Sequence, residues 1–159
     1  MPTMEERKQM IQKIKDLPIK LENVLKGLND QQLDTPYRDG GWTVRQVVHH
    51  LADSHMNAFL RFKFMLMEDF PKIKTYDQDK WATSTEYALP LDASLTLLRG
   101  LHARWTAMLD AISEHDWETR KGDHPENGIV TLDRMLQIYS NHGEKHCGHI
   151  KGLRDKMNW

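Results

Sequence analysis

Between Thr131 and Met157 the chain reads TLDRMLQIYSNHGEKHCGHIKGLRDKM, and its apolar residues recur at intervals of three and four. Met135, Leu136, Tyr139, Ile150, Leu153 and Met157 fall on one stripe at the roughly 100° per residue of an α-helix, with Thr131 placed to cap the first turn. His142 and His146 occupy positions on that stripe that the pattern reserves for apolar side chains. Four residues apart, they share one face one turn apart, so both imidazoles can converge on a single ion, and zinc accepts neutral histidine nitrogens at about 2.0 to 2.1 Å. His149 lies on nearly the same face, but a rise of about 10.5 Å separates it from His142, so it competes only as a partner for His146. A lone histidine on such a stripe is ordinarily a core residue held by one hydrogen bond; two in register need a further reason.

Three upstream stretches share the helical period. Met4 to Gly27 carries Ile11, Ile14, Leu17, Leu21, Val24 and Leu25, and although Pro18, lacking the N–H, can kink or split such a segment, it reads as one bent helix ending near Gly27. Asn29 and Asp30 predict a short turn before the loop Thr35 to Gly41. Thr43, with Gln46 three residues later, makes a capping box for a second long helix, whose stripe (Val44, Val47, Val48, Leu51, Ala58, Phe59, Phe62, Met65, Leu66) lasts until Glu68-Asp-Phe-Pro71. Residues 68 to 91 have no period and read as a long loop of the kind that forms a lid or pocket wall. Asp92 or Ser94 is expected to cap a third helix, with Leu95, Leu98, Leu101, Trp105, Met108, Leu109 and Ile112 on one face, ending near His115. The connection Asp116 to Val130 carries Gly122, Pro125 and Gly128. Four amphipathic helices with long connecting loops predict an all-α four-helix bundle, one domain over residues 1–159.

Composition excludes several partners. Lys and Arg total 22 against 23 for Asp and Glu, so no surplus positive charge exists to release counterions from a nucleic acid. The stretch MPTMEERKQM begins with charges rather than an apolar signal, and no uncharged run approaches the roughly 20 residues that cross a bilayer, so no membrane role is expected. The single cysteine, Cys147, forms no internal disulfide and suits a reducing cytoplasm.

The second helix offers His49, His50 and His55 as further ligands for the His142/His146 pair. His55 sits at the middle of the apolar stripe and His49 and His50 flank it, so spacing nominates His55, as a ligand or as a buried structural histidine. His142-Gly-Glu-Lys-His146 differs from the zincin pattern H-E-x-x-H: Glu144 lies two residues after the first histidine, about 200° round the helix, and faces away from the ion.

Two segments, Gly41-Trp-Thr-Val-Arg-Gln-Val-Val-His-His-Leu-Ala-Asp-Ser-His55 and Asn141-His-Gly-Glu-Lys-His-Cys-Gly-His-Ile150, resemble the paired histidine signatures of the DinB/YfiT-like family, and more closely its YfiT branch. The similarity extends to Leu33-Asp-Thr-Pro-Tyr-Arg-Asp-Gly-Gly-Trp42 and Leu101-His-Ala-Arg-Trp105. The resemblance implies that the first metal histidine, the one preceding Leu-Ala, is His50, and that the later pair is His142 and His146. It also implies a four-helix bundle, a homodimer, a cytoplasmic setting and one divalent ion per chain, zinc as a rule and nickel or another ion as alternatives. Many relatives carry Gln where this chain has His149, which leaves His149 as a supporting group, an alternative ligand or a packed residue.

Three histidines leave at least one coordination position open, the pattern of a catalytic zinc site. If that position activates water, the protein is a metal-dependent hydrolase of a small-molecule substrate, which is what the YfiT branch implies. If it deprotonates a thiol, the protein is a thiol S-transferase that uses a low-molecular-weight thiol such as bacillithiol, mycothiol or glutathione. A third alternative is a non-catalytic metal-binding domain with the ion bridging the second and fourth helices. No general base stands out: Asp53 reads as capping a solvated face, Arg104, Tyr76 and Trp81 as core or surface, and Cys147, about 100° from His146, as a packed thiol. Gly143, Gly148 and Gly152 each cost about 1 kcal/mol relative to alanine in a helix and read as close helix contact or as room beside the ion.

Overall fold

In the computed structural model, which describes residues 1–159, local capping chemistry starts most of the helices. Helix α1 (Met4–Leu25) opens on a capping box between Thr3 and Glu6 and runs unsplit through Pro18, whose ring removes one hydrogen bond without ending the helix. The short α2 (Asp30–Leu33) is capped by Asn29, and α3 (Val44–Met67) begins at the Thr43–Gln46 capping box and stops at Glu68.

The stretch 68–91 contains more structure than its sequence predicts. Helix α4 (Gln78–Trp81) and a 3-10 turn (Thr85–Ala88) are clamped onto α3. Gln46 Nε2 donates to the Ala82 carbonyl at 3.0 Å, His49 Nε2 to the Leu89 carbonyl at 3.1 Å, and the Tyr87 hydroxyl to Asp53 Oδ2 at 2.6 Å. Neither Asp92 nor Ser94 caps α5 (Asp92–Asp110): Leu91 holds the N-cap position with no side-chain bond, and Ser94 Oγ instead lies 2.8 Å from His49 Nδ1. The Ser94 hydroxyl is thus engaged by α3 rather than by the first turn of its own helix. Helix α5 also stops short of His115, which belongs to a separate α6 (Glu114–Thr119) capped by Ser113. After it, β1 (Lys121–His124) and β2 (Gly128–Thr131) form an antiparallel hairpin, and Ile73 and Pro71 bond to Asp123 along the other edge of β1. Thr131 then caps α7 (Leu132–Met157), accepting from the Arg134 amide.

The four long helices make a bundle in which α1 packs against α5 and α7, and α3 packs against the same two. Helices α1 and α3, successive long helices in the chain, therefore stand diagonally opposite one another. At one end a buried ion pair, Arg7 to Asp133 at 2.7 Å, ties α1 to α7. Gly143 is the point of close approach between them, since a Cβ there would run into the side chain of Leu17. Gly148 and Gly152 have open space instead, so close packing explains only the first of these glycines.

The apolar core falls into two clusters, one around Ile14, Phe62, Trp105, Leu136 and Tyr139, the other around Leu17, Leu21, Val48, Leu51 and Ile150. A layer of histidines separates them: His55 on α3, His102 on α5, and His142 and His146 on α7 each fall between the residues their helix gives to the two clusters. No helix is long and apolar enough to cross a membrane.

Candidate metal centre

Helix α7 presents His142 and His146 one turn apart, and α3, packed alongside, presents His50 from the other side. His142 Nε2 lies 3.2 Å from His146 Nε2 and 3.3 Å from His50 Nε2, and the ligand atoms of all three lie within 4.8 Å of one another. Donor atoms at about 2.0 to 2.1 Å from a tetrahedral ion stand about 3.3 to 3.4 Å apart, so two of the three separations already match such an ion. A neutral imidazole has one lone pair and one N–H, and three converging nitrogens cannot all satisfy one another by hydrogen bonding. One shared cation would satisfy all three lone pairs at once. The residues present therefore fit a metal ion.

Burial sets the protonation state. Desolvation pushes His50 down from 6.5 to about 4 and His142 to about 3, with the neighbouring ring His50 adding to the shift at His142, and His146 moves in the same direction. Near neutral pH all three rings are uncharged, the form that ligates a metal. Trp42 covers the pair from the loop before α3, its ring centroid 4.6 Å from that of His50 and 6.4 Å from that of His146. The histidines form the floor of a cavity of about 570 Å³ whose walls include Arg38, Trp42, Gln78, Asp79 and Lys145. Asp79 is the one carboxylate in that wall, and Gln78 and Asp79 come from the 68–91 stretch read as a pocket wall.

The two candidates that spacing and resemblance set against each other occupy different places. His50 joins the α7 pair, while His55, fully buried, stands behind it with Nε2 at 3.1 Å from His142 Nδ1. The centre of the α3 stripe points at the buried bundle axis and its flank at the groove shared with α7, which opens to the cavity. His149 is stacked on Tyr37 in the cavity wall, centroids 4.4 Å apart and planes within 3°, and its ring is 5.4 Å from that of His146. Glu144 turns away from the histidines as expected, pairing with Lys20 at 2.7 Å and Lys13 at 3.4 Å on α1. Cys147 is a packed thiol pushed up to about 11 by burial, and Asp53 is taken by Tyr87. Tyr76 packs on Trp81 at 4.3 Å and Arg104 lies over Phe59 at 5.6 Å; none of these four residues lines the histidine cavity.

His102, which lies outside the paired histidine signatures, has its own signal in the sequence: it falls four residues after Leu98 and three before Trp105 on the buried face of α5, a polar ring in an apolar stripe like His142.

A helical bundle whose core is interrupted by a histidine layer opens here through three imidazoles onto a polar cavity, a donor set of the kind that a divalent ion takes. The chain belongs to the DinB superfamily, whose family model matches residues 15–150. It is 47% identical over 151 residues to a protein of Oceanobacillus iheyensis named "Putative metal-dependent hydrolase", covering 95% of this chain and 87% of that one. It is 48% identical over 149 residues to a protein of Bacillus mycoides with the same description, covering 94% and 86%. The solved structure of YfiT from Bacillus subtilis, described as "a probable metal-dependent hydrolase with an unusual four-helix bundle topology", superposes with a TM-score of 0.96 at 43% identity, covering all of this chain and 91% of that one.

Proposed function

We propose that this protein is a metal-dependent hydrolase acting on a small-molecule substrate, with one divalent ion, zinc in the first instance, held by His50, His142 and His146. The observation that carries the reading is the convergence of three neutral Nε2 atoms on the floor of an open, polar cavity. Three protein ligands leave room for a further ligand from the cavity side, and the ion, when bound, would acidify a water molecule to a pKa near 7. Asp79, the carboxylate in the cavity wall, would take a proton during the reaction, and Arg38 and Lys145 would orient an anionic group of the substrate. Trp42 shields one flank of His50 and His146 from water. Nickel suits three imidazoles as well as zinc does, so the choice of ion follows supply as much as affinity.

Arg38 and Lys145 also favour a second reading, thiol S-transfer, because bacillithiol, mycothiol and glutathione are polar thiols and two of these carry carboxylates that such cations bind. A non-catalytic metal-binding domain would make no use of the cavity. The metal-loaded protein assayed on an ester and amide panel is expected to turn over one of its members, with Asp79→Asn slowing turnover at unchanged metal content. Thiol-dependent conjugation of an alkylating electrophile without any hydrolysis would reverse the order of the two readings.

The cytoplasmic homodimer implied by the family resemblance is part of the same proposal. Met56, Leu60 and Leu97 form an apolar strip on the outer side of α3 and α5 that a second copy would cover. Sedimentation is expected to give twice the chain mass, reduced to the single-chain mass by Leu60→Glu; a wild-type monomer removes the proposal of a dimer.

A further inference from the structure

Pro18 has no N–H, so the carbonyl oxygen of Ile14, four residues before it, receives no hydrogen bond from within α1 at that step. His102 Nδ1, reaching across from α5, lies 2.6 Å from this oxygen. A carbonyl oxygen only accepts, so the proton of His102 resides on Nδ1 and its Nε2 carries the lone pair. His55 Nδ1 lies 2.8 Å from that Nε2 and must donate to it, which makes His55 Nε2 an acceptor. His142 Nδ1 lies 3.1 Å from His55 Nε2 and must donate in turn. The remaining nitrogen of His142, the Nε2 that faces His50 and His146, is left with its lone pair.

We infer that this directed run of hydrogen bonds, from the Ile14 carbonyl through His102 and His55, sets the tautomer and ring orientation in which His142 offers Nε2 to the ion. His55 and His102 are accordingly positioning residues, and the inference rests on the metal reading of the three-histidine site. Both rings are at most 1% exposed, with a backbone carbonyl or a neighbouring imidazole as the hydrogen-bond partner of each nitrogen, so each carries the single proton that the order of bonds requires. The other two ligands have no such support: the buried Nδ1 atoms of His50 and His146 have no hydrogen-bond partner. His142 is therefore the ligand whose orientation is anchored to the backbone. The anchor exists because a proline interrupts the bonding of a helix that carries no ligand itself.

Long-range proton–nitrogen NMR correlations on the metal-free protein near neutral pH read the tautomer of each ring directly. His102, His55 and His142 are all expected in the Nδ1–H form. In His102→Phe, which keeps a ring but neither nitrogen, His142 is expected to become a mixture of tautomers although residue 102 does not touch it. Zinc affinity should fall about 10- to 100-fold, as it does when a group supporting a ligand is lost. His55→Gln, whose amide oxygen accepts from His142 and whose amide nitrogen donates to His102, should hold zinc nearly as tightly as the wild type, whereas His55→Leu should lose as much as His102→Phe. If the Phe variant does not fold, the two His55 variants carry the comparison. An Nε2–H form of His142 in the metal-free wild type, or equal zinc affinity of His55→Leu and wild type, overturns the inference. A wild-type protein that binds no zinc removes the metal reading alone, because the metal-free spectra test the order of hydrogen bonds independently.

Discussion

His142→Ala is expected to strip the protein of its ion. Elemental analysis of the wild type should give one divalent ion per chain, and the variant should bind it about 100-fold or more weakly, since losing even a group that merely supports a ligand costs about 10- to 100-fold. His142 Nε2 is the middle atom of the set, 3.2 Å from His146 Nε2 and 3.3 Å from His50 Nε2, and without it the two remaining ligands sit on different helices. His50→Ala and His146→Ala should each empty the site to a similar degree, and His149→Ala should not, because its ring stacks on Tyr37 in the wall. Stability gives a second readout. An ion at about 100 times its dissociation constant adds about 2.7 kcal/mol to the folded state, so the wild-type melting temperature should rise with the ion and drop with a chelator. The melting temperature of His142→Ala should ignore both. A protein that keeps its ion in His50→Ala but loses it in His149→Ala would have a different ligand set from the one proposed.

Gly143→Val should be the most damaging single change on the surface that α1 and α7 share. A Cβ at this position already lies 2.7 Å from Leu17 Cδ1 and 3.0 Å from Leu17 Cγ, and Leu17 is itself 2% exposed, packed in the core. Overpacking a well-filled core costs about 1–3 kcal/mol and sometimes more, and the gain in helix propensity over glycine recovers less than about 1 kcal/mol. A net loss of about 3 kcal/mol should appear as a lower urea midpoint. Zinc affinity should fall with it, because α1 also carries the Ile14 carbonyl that anchors His102. Gly148→Val and Gly152→Val face open space and should leave the midpoint nearly unchanged. Leu17→Ala combined with Gly143→Val should recover part of the loss, the mark of a direct clash. A Gly143→Val protein as stable as the wild type would mean that the two helices are not held at this distance.

Features written in short-range chemistry were legible in the sequence. The period of α7, the Thr43–Gln46 capping box and the pair His142/His146 each depend on residues within one or two turns, and all three appear where the spacing puts them. Features that depend on a distant partner were not. Ser94 was a reasonable cap for α5 until His49 claimed its hydroxyl. The strand Lys121–His124 reads KGDH with no alternation to announce it, and its bonds to Pro71 and Ile73 come from a stretch about fifty positions away. Periodicity measures depth towards the bundle axis, which is why it nominated His55. A residue of the cavity floor must also reach the cavity, and that condition moves the three-histidine cluster to the flank, at His50. Pro18 announces a free carbonyl to any reader of the sequence, but which side chain answers it depends on how α5 docks, 88 positions further on.

The diagonal placement of α1 and α3 has a kinetic side. A bundle of successive hairpins closes through local contacts, whereas here α1 must wait for α5 and α7 before it has a neighbour to pack on. His50 meets His142 across 92 positions of chain, and contacts so remote in sequence form slowly because loop-closure entropy has to be overcome first. The pair His142/His146 becomes available as soon as α7 is helical, and a two-point grip on an ion at that stage is weak. On the proposed ligand set full coordination would arrive only with the docking of α3, and the metal content of a preparation would then count the chains that have finished folding.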